Sequence, residues 1–191
     1  MYKRVIMIVV VLGAVAAVAL SLSTSNAAEE KTSQSLIKRG EYLVNGGGCN
    51  DCHTPWVTTD KGPQPDMTRM LSGHPADAKV PEVPKDLFGP DRWGGVMSPD
   101  MTSWGGPWGV SFTANLTPDQ VTGLGAWTPE VFIKAMRTGK HMGSGRDILP
   151  PMPWYDLAKL SDTDLRAIFA YLQSLKPIQN QVPLPMAPEA R

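Results

Sequence analysis

The chain has 191 residues, room for one domain and tight for two, and its 18 basic and 18 acidic side chains balance. That balance leaves no electrostatic footprint for nucleic acid or for an anionic lipid surface. Glycine and proline, 18 of each, stay below the level that marks a disordered chain, while six Trp and ten Met call for an apolar surface to cover.

Lys3 and Arg4 precede an apolar run from Val5 to Leu20, and a polar stretch from Ser21 to Asn26 leads into Ala27-Ala28. A basic start, an apolar run and small residues at Ser25 and Ala27 describe a secretory signal peptide over 1–27. The alternative is an uncleaved anchor, because Val5 to Leu22 comes close to the roughly 20 apolar residues of a spanning helix. The small-residue pattern and the lack of a positive flank favour cleavage, which removes two basic residues and no acid. On either reading the rest of the chain is exported, which predicts a periplasmic domain that meets the membrane only if 1–27 is kept.

Ser33 to Val44 reads as a short helix, with Leu36, Gly40, Leu43 and Val44 on one stripe. Gly40 costs such a helix about 1 kcal/mol relative to Ala, so it marks either a close helix crossing or a tolerated weak spot.

Directly after it stands Gly46-Gly47-Gly48-Cys49-Asn50-Asp51-Cys52-His53. In an exported protein a lone cysteine pair normally reads as a disulfide, but that leaves His53 unexplained. A thioredoxin-like dithiol wants a strand before the motif, where a glycine-rich break stands here. A structural zinc site wants four ligands at paired spacing, which His74 and His141 do not complete. C-x-x-C-H is the attachment signature of c-type haem. Two intervening residues let one turn of backbone reach both vinyl groups, and the next residue, His53, then lies where its imidazole can ligate the iron.

From Thr54 to Phe112 proline, glycine and tryptophan dominate, with neither a period of 2 nor one of 3.6. Trp93, Trp104 and Trp108 argue for order, so the stretch reads as an aperiodic insertion, either wrapped over the haem or a surface elaboration of no special role. A helix is predicted over Pro129 to Thr138, with Thr128 as cap, Pro129 at the first position and Gly139 at the end. Its apolar face is Val131, Phe132, Ala135 and Met136. The last helix is predicted over Asp162 to Lys176, capped by Ser161, stopped by Pro177, and buried through Leu165, Ile168, Phe169, Leu172 and Leu175.

An N-terminal helix running into C-x-x-C-H, a later helix, a Pro-Met-Pro loop and a C-terminal helix resemble a class I c-type cytochrome with one haem. Ala114-Asn115-Leu116-Thr117-Pro118-Asp119, Gly123-Leu124-Gly125-Ala126-Trp127-Thr128 and Leu149-Pro150-Pro151-Met152-Pro153-Trp154 are similar to cytochrome c subunits of periplasmic dehydrogenases. The resemblance covers residues 35 to 177. It implies an all-α, cytochrome c-like fold of three to four helices around one covalent haem c, with the insertion at about 54–112. The domain then spans 28–177, followed by a proline-rich tail over 178–191. It also implies N- and C-terminal helices that cross, so that the Gly40 stripe meets Phe169, Leu172 and Tyr171.

For the second iron ligand the candidates are Met67, Met70, Met97, Met101, Met136, Met142, Met152, His74 and His141. Pro150, Pro151 and Pro153 stiffen the chain around Met152, which favours it. His141 and Met142 stay open as alternatives. His53 also needs an acceptor for its other ring nitrogen; the family's is a downstream backbone carbonyl, for which Gly73-His74-Pro75 is the candidate. Arg137, Arg146, Trp127 and Asn115 are available to the haem propionates, although a solvated role is the plainer one for each arginine.

Cys49 and Cys52 for attachment, with His53 and Met152 on the iron, describe an electron carrier rather than an enzyme. Its partners would be a dehydrogenase as donor and an oxidase or another cytochrome as acceptor. It would act either as a free carrier or as the cytochrome subunit of a dehydrogenase complex. The alternative is a haem c enzyme or sensor with an open or displaceable distal ligand.

Overall fold

In the computed structural model, residues 30–84 and 86–188 are described, and the signal-peptide segment 1–27 lies outside them. The chain divides into two units, Met1–Leu36 and Ile37–Arg191. The first is described from residue 30 and is helical over 30–36. The second opens helical over 37–46 (α1). No helix among the described residues is long and apolar enough to cross a membrane.

α2, Cys49–His53, follows at once. α3 is Pro129–Thr138, with Thr128 Oγ1 accepting from the Val131 amide and Gly139 closing the helix in the left-handed region. A short α4, Trp154–Leu157, precedes α5, Asp162–Ser174. Ser161 caps α5 by accepting from the Asp164 amide, and the helix ends two residues before the expected Lys176.

The core is a cluster of α1, α3 and α5 side chains. Val44 of α1 forms one cluster with Phe132, Ala135 and Met136 of α3 and Leu165, Ile168, Phe169, Tyr171 and Leu172 of α5, with Leu71 and Leu124 entering from loops. Gly40 is buried at the α1–α5 crossing. A Cβ there would stand 1.9 Å from the Ala167 carbonyl oxygen and 2.8 Å from Tyr171 Cβ. The glycine is therefore a contact point against Ala167 and Tyr171, and the stripe it belongs to joins Phe169, Tyr171 and Leu172 through Val44 in one cluster.

The all-α expectation is overturned. The segment read as aperiodic carries five strands: β1 Trp56–Thr59, β2 Gly62–Pro65, β3 Val96–Met97, β4 Ser103–Gly106 and β5 Gly109–Phe112. β1 and β2 form an antiparallel hairpin, with Trp56 opposite Pro65 and Thr59 opposite Gly62. β3, β4 and β5 form an antiparallel sheet in that order. Each strand has only two to four residues, too few for an alternation to register. Two prolines in β2 hide it further, being tolerated because a two-stranded hairpin consists of edges alone. The helix count is corrected as well, from three or four to five among the described residues.

The hairpin that follows the motif helix is tied to the loop between β3 and β4. The Trp56 amide donates to Asp100 O at 3.0 Å and the Thr113 amide to Thr102 O at 3.0 Å. Among the described residues beyond α5 there is no further helix, and Val110 and Met186 exchange both backbone hydrogen bonds at 2.9 Å.

Candidate functional site

α2 is a single turn and a half, so Cys49 and Cys52 stand at i and i+3 on one face with His53 directly after. Gly48, with φ of 67°, turns the chain into it, a conformation that costs a residue with a Cβ. The C-terminal end is pinned. Buried Thr54 donates through Oγ1 to Asn50 Oδ1 at 2.8 Å and accepts from the Leu71 amide at 2.9 Å. Trp56 Nε1 donates to Asp51 O at 3.0 Å.

Both cysteines are free and half-buried. Burial pushes the Cys49 thiol up to about 11 and raises Cys52 too, which keeps both as thiols at neutral pH. Cys49 packs against the apolar core cluster, and so do Met152, Trp127, Leu116 and Met70.

His53 is buried, and that burial lowers its pKa, so the imidazole is neutral. Its Nδ1 lies 2.8 Å from Ala114 O. A carbonyl oxygen can only accept, so the proton sits on Nδ1 and Nε2 carries the lone pair. Among the described residues Nε2 has no hydrogen-bond partner. This is the tautomer and tether of a metal-ligating histidine.

The acceptor is Ala114, not a carbonyl of Gly73-His74-Pro75. That segment serves differently, because the Gly73 amide donates to His53 O at 2.8 Å and the His74 amide to Thr113 O at 3.0 Å. Leu116 donates to Leu71 O at 2.9 Å, so 71–74 and 113–116 run side by side beneath His53. Gly73 has φ of 76°, and a Cβ on it would stand 2.5 Å from Thr113 O and 2.6 Å from the Ala114 carbonyl carbon. No other residue fits there. A backbone acceptor leaves no mark in a sequence; the glycine wedged against it was the available signal.

Met152 is half-buried and joins the rim of the core cluster, on a loop tied to β5. Ser111 Oγ of β5 donates to Pro150 O, and the Trp154 amide donates to Met152 O at 2.9 Å. Arg137 of α3 donates to the carbonyls of Ala158 and Leu160, the latter at 2.8 Å, and pairs with Asp162 at 2.6 Å. The other candidates separate. Met136 is core, as its helix face predicts, while Met67, Met97 and Met142 are exposed. His141 is exposed and sets its ring edge-on against Trp127 at 5.3 Å. His74 is buried, its Nδ1 2.7 Å from Thr102 Oγ1.

Of the groups named for the propionates, Arg137 is committed to the α4–α5 connection. Asn115 is committed to the tail, donating to Ile178 O at 2.8 Å and accepting from Thr117. Arg146 has no carboxylate partner among the described residues and donates to Asp147 O at 3.3 Å. It stays available, as does Trp127.

No known family model matches the chain. It is 30% identical over 167 residues, 86% of its length, to the cytochrome c subunit of the quinone alcohol dehydrogenase of Gluconobacter oxydans. It is 29% identical over 151 residues to the gluconate 2-dehydrogenase cytochrome c subunit of Pantoea cypripedii, and 28% identical over 151 residues to a subunit of the nicotinate dehydrogenase of Pseudomonas putida. The chain spans 27%, 26% and 10% of the length of these three relatives. Over about four fifths of its own length, then, this chain is similar to segments of dehydrogenase subunits, two of which are cytochrome c subunits.

Proposed function

We propose that this chain is an electron-transfer protein carrying one haem c, covalently attached through Cys49 and Cys52, with His53 and Met152 as the iron ligands. It passes electrons from a dehydrogenase to a downstream acceptor, as a monohaem c-type cytochrome in the periplasm, tethered to a membrane only if residues 1–27 are retained. The observation that carries the proposal is His53: neutral, proton fixed on Nδ1 by Ala114 O, and placed one residue after two free thiols on one helical turn. The relatives supply the partner class, since they are named as subunits of dehydrogenases.

The residues fit the group. Haem c bound there would supply an iron that changes valence by one electron. The chain's own part is to hold the imidazole in one tautomer and to offer a thioether, packed against the apolar core cluster, from a proline-stiffened loop. A soft thioether favours the reduced iron, so a His–Met pair suits an acceptor of electrons from substrate oxidation better than a bis-His pair.

Met152→Ala tests the ligand assignment in the ferric absorption spectrum. Loss of the low-spin spectrum is expected, while Met142→Ala and His141→Ala leave it intact. An unchanged spectrum in Met152→Ala would refute the assignment.

A further inference from the structure

We propose that Asn180, in the C-terminal tail, is a positioning residue for His53, which rests on the reading of His53 as an iron ligand. The side chain has a single consistent orientation. Its Oδ1 accepts from the Ala76 amide at 2.9 Å, so Nδ2 faces Ser72 O at 2.7 Å and His74 O at 2.9 Å, two carbonyls that can only accept. One amide therefore grips the 72–76 turn at three points, on both sides of Gly73. Gly73 is the residue whose amide holds the His53 carbonyl and whose bare Cα lets Ala114 approach.

The tail grips the segment beside it, 115–122, as well. The Asn180 amide donates to Thr122 Oγ1 at 3.0 Å, the Ile178 amide donates to Thr117 Oγ1 at 3.1 Å, and Asn115 donates to Ile178 O at 2.8 Å. Asn115 directly follows the residue whose carbonyl fixes the imidazole. The tail is thus a strap across 72–76 and 115–122, and among the described residues beyond α5 the Asn180 side chain makes the hydrogen bonds to the first of these segments. If the strap loosens, Ala114 O and Gly73 lose their fixed separation, and the His53 Nδ1–H bond weakens without any change in the imidazole's covalent neighbours. A less strongly tethered imidazole is a weaker donor and stabilises ferric iron less.

The test uses the full chain made in a host that attaches haem, with Asn180→Ala, Asn180→Asp and, as a control, Met186→Pro. The control removes the amide that bonds Val110 O at the far end of the tail and leaves the bonds of Asn180 in place. The reduction potential and the exchange of the His53 Nδ1 proton in the reduced protein are recorded. Asn180→Ala is expected to keep its pigment, to show a higher potential than the parent and to exchange that proton roughly tenfold faster or more. Asn180→Asp keeps the acceptor for Ala76 but turns a carboxylate toward two carbonyls. Its potential should drift back toward the parent's as pH falls and an O–H replaces the lost donor. Met186→Pro should match the parent. Parental potential and exchange in Asn180→Ala would overturn the proposal, and so would equal shifts in Met186→Pro. Where Asn180→Ala does not accumulate, the pH profile of Asn180→Asp decides, a profile parallel to the parent's counting against the strap. A colourless parent would sink the haem proposal instead, and proton exchange at His53 in the haem-free chain would then decide on the strap.

Discussion

Replacing Gly40 by alanine separates two accounts of α1 by the sign of the effect. On an exposed helix face the change would stabilise by about 1 kcal/mol, because alanine has the higher helix propensity. Here the new Cβ would stand 1.9 Å from Ala167 O, 2.5 Å from the Ala167 carbonyl carbon and 2.8 Å from Tyr171 Cβ. Two of these atoms are backbone of α5 and the third is the first atom of a buried side chain, so no rotamer relieves the clash. The helices must separate by ~1.5 Å to restore ordinary contact, and that opens the packing of Val44 against the α3 and α5 side chains. Overpacking of this kind costs ~1–3 kcal/mol, and the rigid neighbours put Gly40→Ala at about 3 or above, after the propensity gain is offset. At roughly 2–4 °C per kcal/mol for a domain of this size, the melting midpoint should fall by about 6–12 °C. Thermal unfolding followed by far-ultraviolet circular dichroism measures it. A midpoint equal to or above the parent's would refute the crossing.

Other expectations follow from the site. Cys49→Ala or Cys52→Ala should each leave at most one thioether bond, and the double variant should release its pigment on denaturation, read on a denaturing gel stained for haem. Gly73→Ala forces a Cβ against Thr113 and Ala114 at a φ that disfavours it, so about 2 kcal/mol or more of stability should be lost in denaturant titration, and haem attachment should fall with it. In the haem-free chain, burial lowers the pKa of His53 and His74, and partial shielding of the ring together with the nearby Arg146 charge lowers that of His141. The unfolded chain therefore takes up protons first, and stability should be full above about pH 6.5 and decline as pH falls below it. A melting midpoint that stays flat from pH 7.5 to 5.5 would contradict this.

The motif was easier to read from the sequence than the architecture around it. Cys49-x-x-Cys52-His53 can be read from spacing alone, since one helical turn sets the geometry of all three side chains. α3 was legible to the residue because Thr128, Pro129 and Gly139 are each local signals, and α5 was legible apart from its last two positions. Gly40 was legible as a question; which helix answered it came from the resemblance, and which residues from the fold. The strands were not legible, because two to four residues are too few to show a period even where, as in Trp56–Thr59, the propensity is present, and glycine and proline interrupt most of the others. The His53 acceptor is a carbonyl, identical in every residue type. The role of Asn180 depends on partners 104 to 108 positions away, beyond the reach of any local rule. The same fact removed Asn115 and Arg137 from the propionate candidates: each is committed to backbone that only the folded chain brings near.

The central claim is that two thioether bonds join one haem to Cys49 and Cys52. The most direct measurement is the mass of the intact denatured chain, made in a host with haem-attachment machinery, beside an acid-acetone extraction of the same sample. A coloured protein is expected, heavier than the polypeptide by one haem, whose pigment stays with the protein in acid acetone. A colourless chain of unmodified mass, or a pigment that moves into the solvent, would contradict it.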